Sequence, residues 1–215
     1  MWDVALYVHI AAAGIALLAG FAALVAKKGS LVHKKAGRIF VFTMIIMAVP
    51  AAGLAHEAGK PFDALSGLVA IYMVLTSMLT FRSISRNASI AITLLAIACF
   101  AGYLAVELGA LVTGIRATDA PPGAGYIFAS VLGLAVWGDF RRLRTTLPRR
   151  QSVIRHLWRM NFALLLATVS FFGARPHLFP EWMQSSGALI LLSFAPLLVM
   201  AYWRVKFRAK PALSA

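Results

Sequence analysis

Five histidines and one carboxyl group set within an apolar run are the residues through which this 215-residue chain can offer coordination or proton chemistry. Imidazole is the commonest transition-metal ligand and the usual axial ligand of haem, and it titrates near physiological pH. His9, His56 and His177 form one candidate group, with Glu107 and Asp63 as proton carriers or polar partners. His33 and His156 form a second, accompanied by Arg38, Arg155, Arg159 and Asn161. The lone Cys99 lies in an apolar run and forms no internal disulfide, so it gives no compartment signal.

Whether either group meets in space depends on the elements that carry it. With 61% apolar and 13% charged residues and a mean hydropathy of +0.82, the chain is far more apolar than a soluble domain. Its formal charge of +14 sits in short gaps between apolar runs. That placement, without a basic face interleaved with aromatics, excludes nucleic acid and points to the bilayer and its anionic phospholipid headgroups. Seven apolar runs, at about 6–26, 39–55, 64–81, 88–115, 125–140, 157–174 and 185–203, predict an all-α bundle of seven transmembrane helices in one domain spanning 1–215. The first run lacks a basic leader and a cleavage site, so it is expected as a retained helix. Pro50 and Gly53 are expected to bend the far end of the second.

The stretch from Arg141 to Arg159 carries seven arginines and must face water. Lysine and arginine collect on the cytoplasmic side of a membrane. With that stretch inside, the inner gaps hold five, two, seven and four cations, against only Lys60, Arg116 and Arg175 outside. Asp3, Glu57, Asp63, Glu107, Asp119 and Glu181 all fall on the outer side. The expected orientation is N-terminus outside and C-terminus cytoplasmic. His9, His56 and His177 are then outer, and His33 and His156 inner.

Two readings of each group stay open. In the outer group, His9 and His56 from neighbouring helices bind haem b or a transition metal, with His177 as a further ligand. Alternatively His56 and His177 are solvated loop residues, and His9 pairs with Glu107 to hold two helices together, since an ionisable group in lipid needs a partner. No HExxH, HxxxH or Cys-x-x-Cys spacing decides for the metal. In the inner group, His33, His156, Arg38, Arg155, Arg159 and Asn161 receive a phosphate, a quinone carbonyl or a haem propionate, or the arginines snorkel to headgroups as plain anchors. Small residues such as Ala13, Gly14 and Gly20, or Gly102 and Gly109, are expected at close helix approaches.

Three function classes follow: a histidine-ligated haem or metal redox protein, a transporter or channel for a small solute or proton through Glu107 and His9, and a scaffold assembling membrane-protein partners or a homo-oligomer. A zinc hydrolase built from His9, His56, His177, Asp63 and Ser66 is a weaker alternative, because the linear spacing of such enzymes is absent. The last span holds no lysine for a retinal Schiff base, and no phosphate-cradling glycine loop occurs.

Leu31-Val32-His33-Lys34-Lys35-Ala36-Gly37-Arg38 is similar to the Leu-His-Arg-Arg-x-Gly-Arg lead-in of a bacterial domain-of-unknown-function family of small multi-spanning membrane proteins. Here Val32 separates leucine from histidine. Ile154-Arg155-His156-Leu157-Trp158-Arg159-Met160 resembles that family's His-Arg-Arg-x-Met segment. The resemblance implies a bacterial inner-membrane protein and singles out His33 and His156. The family has no agreed activity to carry over.

Overall fold

The computed structural model describes residues 2–115, 120–173 and 175–209, so Arg116, Asp119 and Lys210 lie outside the described residues. Among those described there is no strand, and the long elements are α1 (Trp2–Val25), α2 (Leu31–Glu57), α3 (Pro61–Met78), α4 (Arg86–Thr113), α5 (Ala124–Arg144), α6 (Arg149–Thr168) and α8 (Ala188–Ala209). A short α7 (Glu181–Ser185) precedes α8, and a π-helical turn, Val169–Gly173, extends α6.

The helices outrun the apolar runs at their basic ends. Ser30 caps α2 by accepting from the His33 backbone N–H at 3.2 Å, so the turn carrying Lys34, Lys35 and Arg38 is already helical. Ser85 caps α4 in the same way through Ala88. Pro61 opens α3, where its missing donor costs nothing, and Gly114 closes α4 at φ 69°, a conformation that side chains with a Cβ resist.

Five helices, α1, α2, α3 with its terminal turn, α4 and α8, are long and apolar enough to cross a membrane. Across the bundle, large apolar side chains such as Leu18, Val112, Leu134 and Ile190 face outward, while alanines such as Ala16, Ala96, Ala135 and Ala163 are buried. Apolar outside and small residues inside is the arrangement of helices solvated by lipid. α5 and α6 are long enough as well, but they carry Asp139, Arg155, Arg159 and Asn161, all buried, and so fall below the apolar threshold.

α3 and α6 are central: α3 packs on α2, α4 and α6, and α6 also on α1 and α8. One end is closed by an aromatic chain from four helices, Phe62, Tyr103, Phe128 and Phe162, with ring centroids 5.0–6.1 Å apart. Gly20 and Gly102 do sit at close approaches: a Cβ on Gly20 would lie 2.6 Å from Leu164, and one on Gly102 3.1 Å from Leu65. Gly14 and Gly109 do not, having nothing within 4 Å. Pro50 lies inside α2, whose helical run continues to Glu57.

Candidate functional site

The outer histidines do not converge. His9 donates from Nδ1 to the Met47 carbonyl at 2.9 Å, three residues before Pro50, whose missing N–H interrupts the bonding of α2. Glu107 is 4% exposed and accepts from the Gly125 N–H at 2.8 Å, tying the end of α4 to the start of α5. The expected His9–Glu107 pair is therefore replaced by two separate side-chain-to-backbone ties. His56, at the end of α2, and His177, in the turn Pro176–Leu178, are exposed, and among the described residues no three metal-ligating side chains come together. The hydrolase arrangement fails with them. Ser66 donates to the Phe62 carbonyl and accepts from the Tyr103 hydroxyl, and Asp63 is exposed in the first turn of α3, where it complements the helix dipole.

The inner histidines do converge. A cavity of about 1300 Å³ opens between the ends of α1 and α3 and the starts of α2 and α6, and both His33 and His156 line it. Their ring centroids are 6.5 Å apart and their planes meet at 78°. Each ring is anchored from behind. His33 Nδ1–H donates to the Ala23 carbonyl at 3.0 Å. Ser77 donates its only proton to the His156 carbonyl at 3.0 Å, so it must accept from His156 Nδ1–H, at 2.9 Å. Both tautomers are thereby fixed, and both Nε2 atoms keep a lone pair that no described residue engages.

The rest of the wall divides by chemistry. Phe40, Val41, Leu157, Met160 and Leu164 are apolar, and Gly20 lets Leu164 and Phe40 pack close against α1. Among the described residues, Lys28, Lys34, Arg38, Arg82 and Arg149 are the charged residues of the lining, and none is an acid. Lys28 donates to the Ala23 and Leu24 carbonyls, capping α1, and burial holds its ammonium pKa below the ordinary lysine value. Asn161, 3% exposed, donates from Nδ2 to the Leu157 carbonyl, which fixes the amide orientation and leaves Oδ1 without a donor.

Arg155 and Arg159 do not snorkel to headgroups. They turn inward and share Asp139: Arg155 Nη2 and Arg159 Nη2 donate to Oδ1 at 2.6 and 2.8 Å, and Tyr72 donates to Oδ2 at 2.6 Å. Arg155 also holds the Thr76 carbonyl and Thr80 hydroxyl, and Arg159 the Ala135 carbonyl. A carboxylate within reach satisfies a guanidinium at this depth better than a long excursion to the interface. The network joins α3, α5 and α6. Sequence reasoning missed Asp139, Tyr72 and Ser77. Asp139 carried a signal all the same, as the only one of the seven acids on the cationic side.

The chain matches no protein-family model, no curated protein and no solved structure.

Proposed function

We propose that this is a seven-span inner-membrane protein, N-terminus outside, that holds haem b between His33 and His156 at its cytoplasmic end. The observation that carries the reading is the pair of half-buried imidazoles, each with Nδ1 tied to the protein and Nε2 free, in one cavity. Backbone or side-chain anchoring of Nδ1 is the usual support of a metal-ligating histidine, because it fixes the ring and raises the basicity of the other nitrogen. A metal between two imidazole nitrogens at about 2.0–2.1 Å each, with about 1.1 Å more to each ring centre, separates the centroids by roughly 6.3 Å. The separation here is 6.5 Å.

The cavity supports the same occupant. Its volume exceeds the roughly 300–1,000 Å³ of pockets that enclose drug-sized ligands, which leaves room for a macrocycle. Apolar walls suit a porphyrin face, and Lys34, Arg38, Arg82 and Arg149 are suited to pair with propionates. Haem bound there supplies one-electron transfer. The chain's own residues set ligand orientation through Ala23 and Ser77, and limit water through Phe40 and Leu164. The seven-span threading is supported by the meeting of the starts of α2, α4 and α6 with the ends of α3 and α5 in the basic half of the bundle.

The test is the visible spectrum of the detergent-purified full chain, from haem-replete cells and after hemin titration. The expected result is a saturable Soret band at one haem per chain that shifts on dithionite reduction, and its loss in both His33→Ala and His156→Ala. His9→Ala and His56→Ala keep it. A chain that stays colourless after hemin titration, or a band unaltered in both inner variants, overturns the assignment.

A further inference from the structure

A second cavity, of about 310 Å³, lies on the other side of the α3–α6 contact, and its lining is electrostatically unbalanced. Arg155 and His156 are consecutive in α6 yet line different cavities, as the helical step of about 100° per residue requires. Among the described residues, the lining holds Arg86, Arg142 and Arg155 against one carboxylate, Asp139. Asp139 is already shared between two arginines, so one buried positive charge is left over before Arg86 and Arg142 are counted. An uncompensated cation at this depth is costly unless something neutralises it.

The donors are arranged for an oxyanion. Arg155 is 7% exposed, with both Nη atoms engaged and its Nε–H enclosed without an acceptor among the described residues, so it brings positive charge to the wall while Arg86, Arg142 and the hydroxyls bring the free donors. Ser83 and Ser89 line the cavity beside it, with no hydrogen bond from either hydroxyl to a described residue. Both belong to the approach and first turn of the 28-residue α4, whose N-terminus adds the positive end of its dipole. Arg142 is braced by donating to the Leu79 and Arg82 carbonyls, which holds its guanidinium at the wall. Three guanidiniums and two hydroxyls around a small cavity suit a group with several acceptor oxygens better than a single carboxylate.

We propose that this cavity binds a phosphate group, either as the headgroup of an anionic phospholipid or as the free anion. The site is separate from the histidine cavity, and it stands if that cavity holds no haem.

The experiment uses the full chain in lipid-free detergent, titrated with sodium phosphate against sodium chloride at equal ionic strength, with thermal unfolding as readout. In parallel, native mass spectrometry counts lipids retained from nanodiscs of phosphatidylglycerol or phosphatidylcholine. Arg86→Gln is the main variant, because Arg86 is exposed and its loss leaves the buried network intact; Arg142→Gln is the second. The expected result is saturable binding to the wild type, weakened roughly tenfold or more by loss of one charge-assisted donor. Phosphatidylglycerol retained over phosphatidylcholine, with that preference lost in Arg86→Gln, makes the source a lipid headgroup. Saturable stabilisation by phosphate that Arg86→Gln weakens, without lipid preference, makes it the free anion. No response to either probe, or a response undiminished in both variants, overturns the proposal.

Discussion

Asp139→Asn isolates the charge of the buried network from its shape. The amide fits the same space: its oxygen can keep both arginine bonds at Oδ1, and its NH2 can donate to the Tyr72 oxygen where Oδ2 now accepts at 2.6 Å. What disappears is the negative charge that two buried guanidiniums share. Removing one partner of a buried ion pair costs about 3–5 kcal/mol. The neutral bonds that survive return about 1 kcal/mol. The expected loss is therefore about 3 kcal/mol, or roughly a hundredfold in the folded-to-unfolded ratio. Equilibrium unfolding in mixed micelles, with sodium dodecyl sulfate as denaturant and helical circular dichroism as signal, measures it. The control is the quadruple variant Asp139→Leu, Arg155→Met, Arg159→Met, Tyr72→Phe, which removes every charge of the network and the hydroxyl that Asp139 satisfies, and is expected within about 1 kcal/mol of wild type. An Asp139→Asn chain within about 0.5 kcal/mol of wild type would mean that water or lipid headgroups already solvate the arginines, and the argument for buried excess charge would go with it.

Three further outcomes are expected. Ser77→Ala removes the hydroxyl acceptor behind His156 and leaves it the Ser77 carbonyl at 3.3 Å, so hemin affinity should weaken by roughly tenfold in a spectral titration; unchanged affinity would mean that the carbonyl alone holds the ring. Gly125→Ala puts a Cβ 2.5 Å from Glu107 Cγ, so it should cost about 1–3 kcal/mol in the same unfolding assay while leaving any haem spectrum unaltered. For Lys28, burial lowers the folded pKa, so between that lowered value and the ordinary 10.5 the unfolded chain binds more protons and stability rises with pH. Lys28→Met should remove that rise, leaving a wild-type minus variant difference that grows with pH across the window and is flat below it.

Helix class and the presence of segments long and apolar enough to cross a membrane were legible from residue order. A bilayer acts on each segment separately, so a run of twenty apolar residues declares itself without reference to any neighbour. The structure gives five helices that meet the length and apolarity for crossing, and it makes clear why α5 and α6 are less apolar. They carry Asp139, Arg155, Arg159 and Asn161, whose polarity lowers a hydropathy average although each is buried among other helices. Hydropathy reads transfer from water and cannot register that a partner is waiting.

The division of histidines into two groups also came from residue order, and the structure brings His33 and His156 of one group to a shared cavity. It could not say which group closes. His9, His56 and His177 share a side but occupy a lipid-facing helix, a helix end and a loop turn, and nothing in their spacing reveals that His9 would rotate onto Met47 instead of Glu107. That outcome depends on the rotation of each helix about its axis, which is set by close approaches such as Gly20 against Phe40 and Leu164. The same rotations send Arg155 to one cavity and its neighbour His156 to another. Order along the chain determined which segments meet lipid and which end meets cations; only packing between helices decided which side chains face one another, because a contact across the bundle is a property of two surfaces at once.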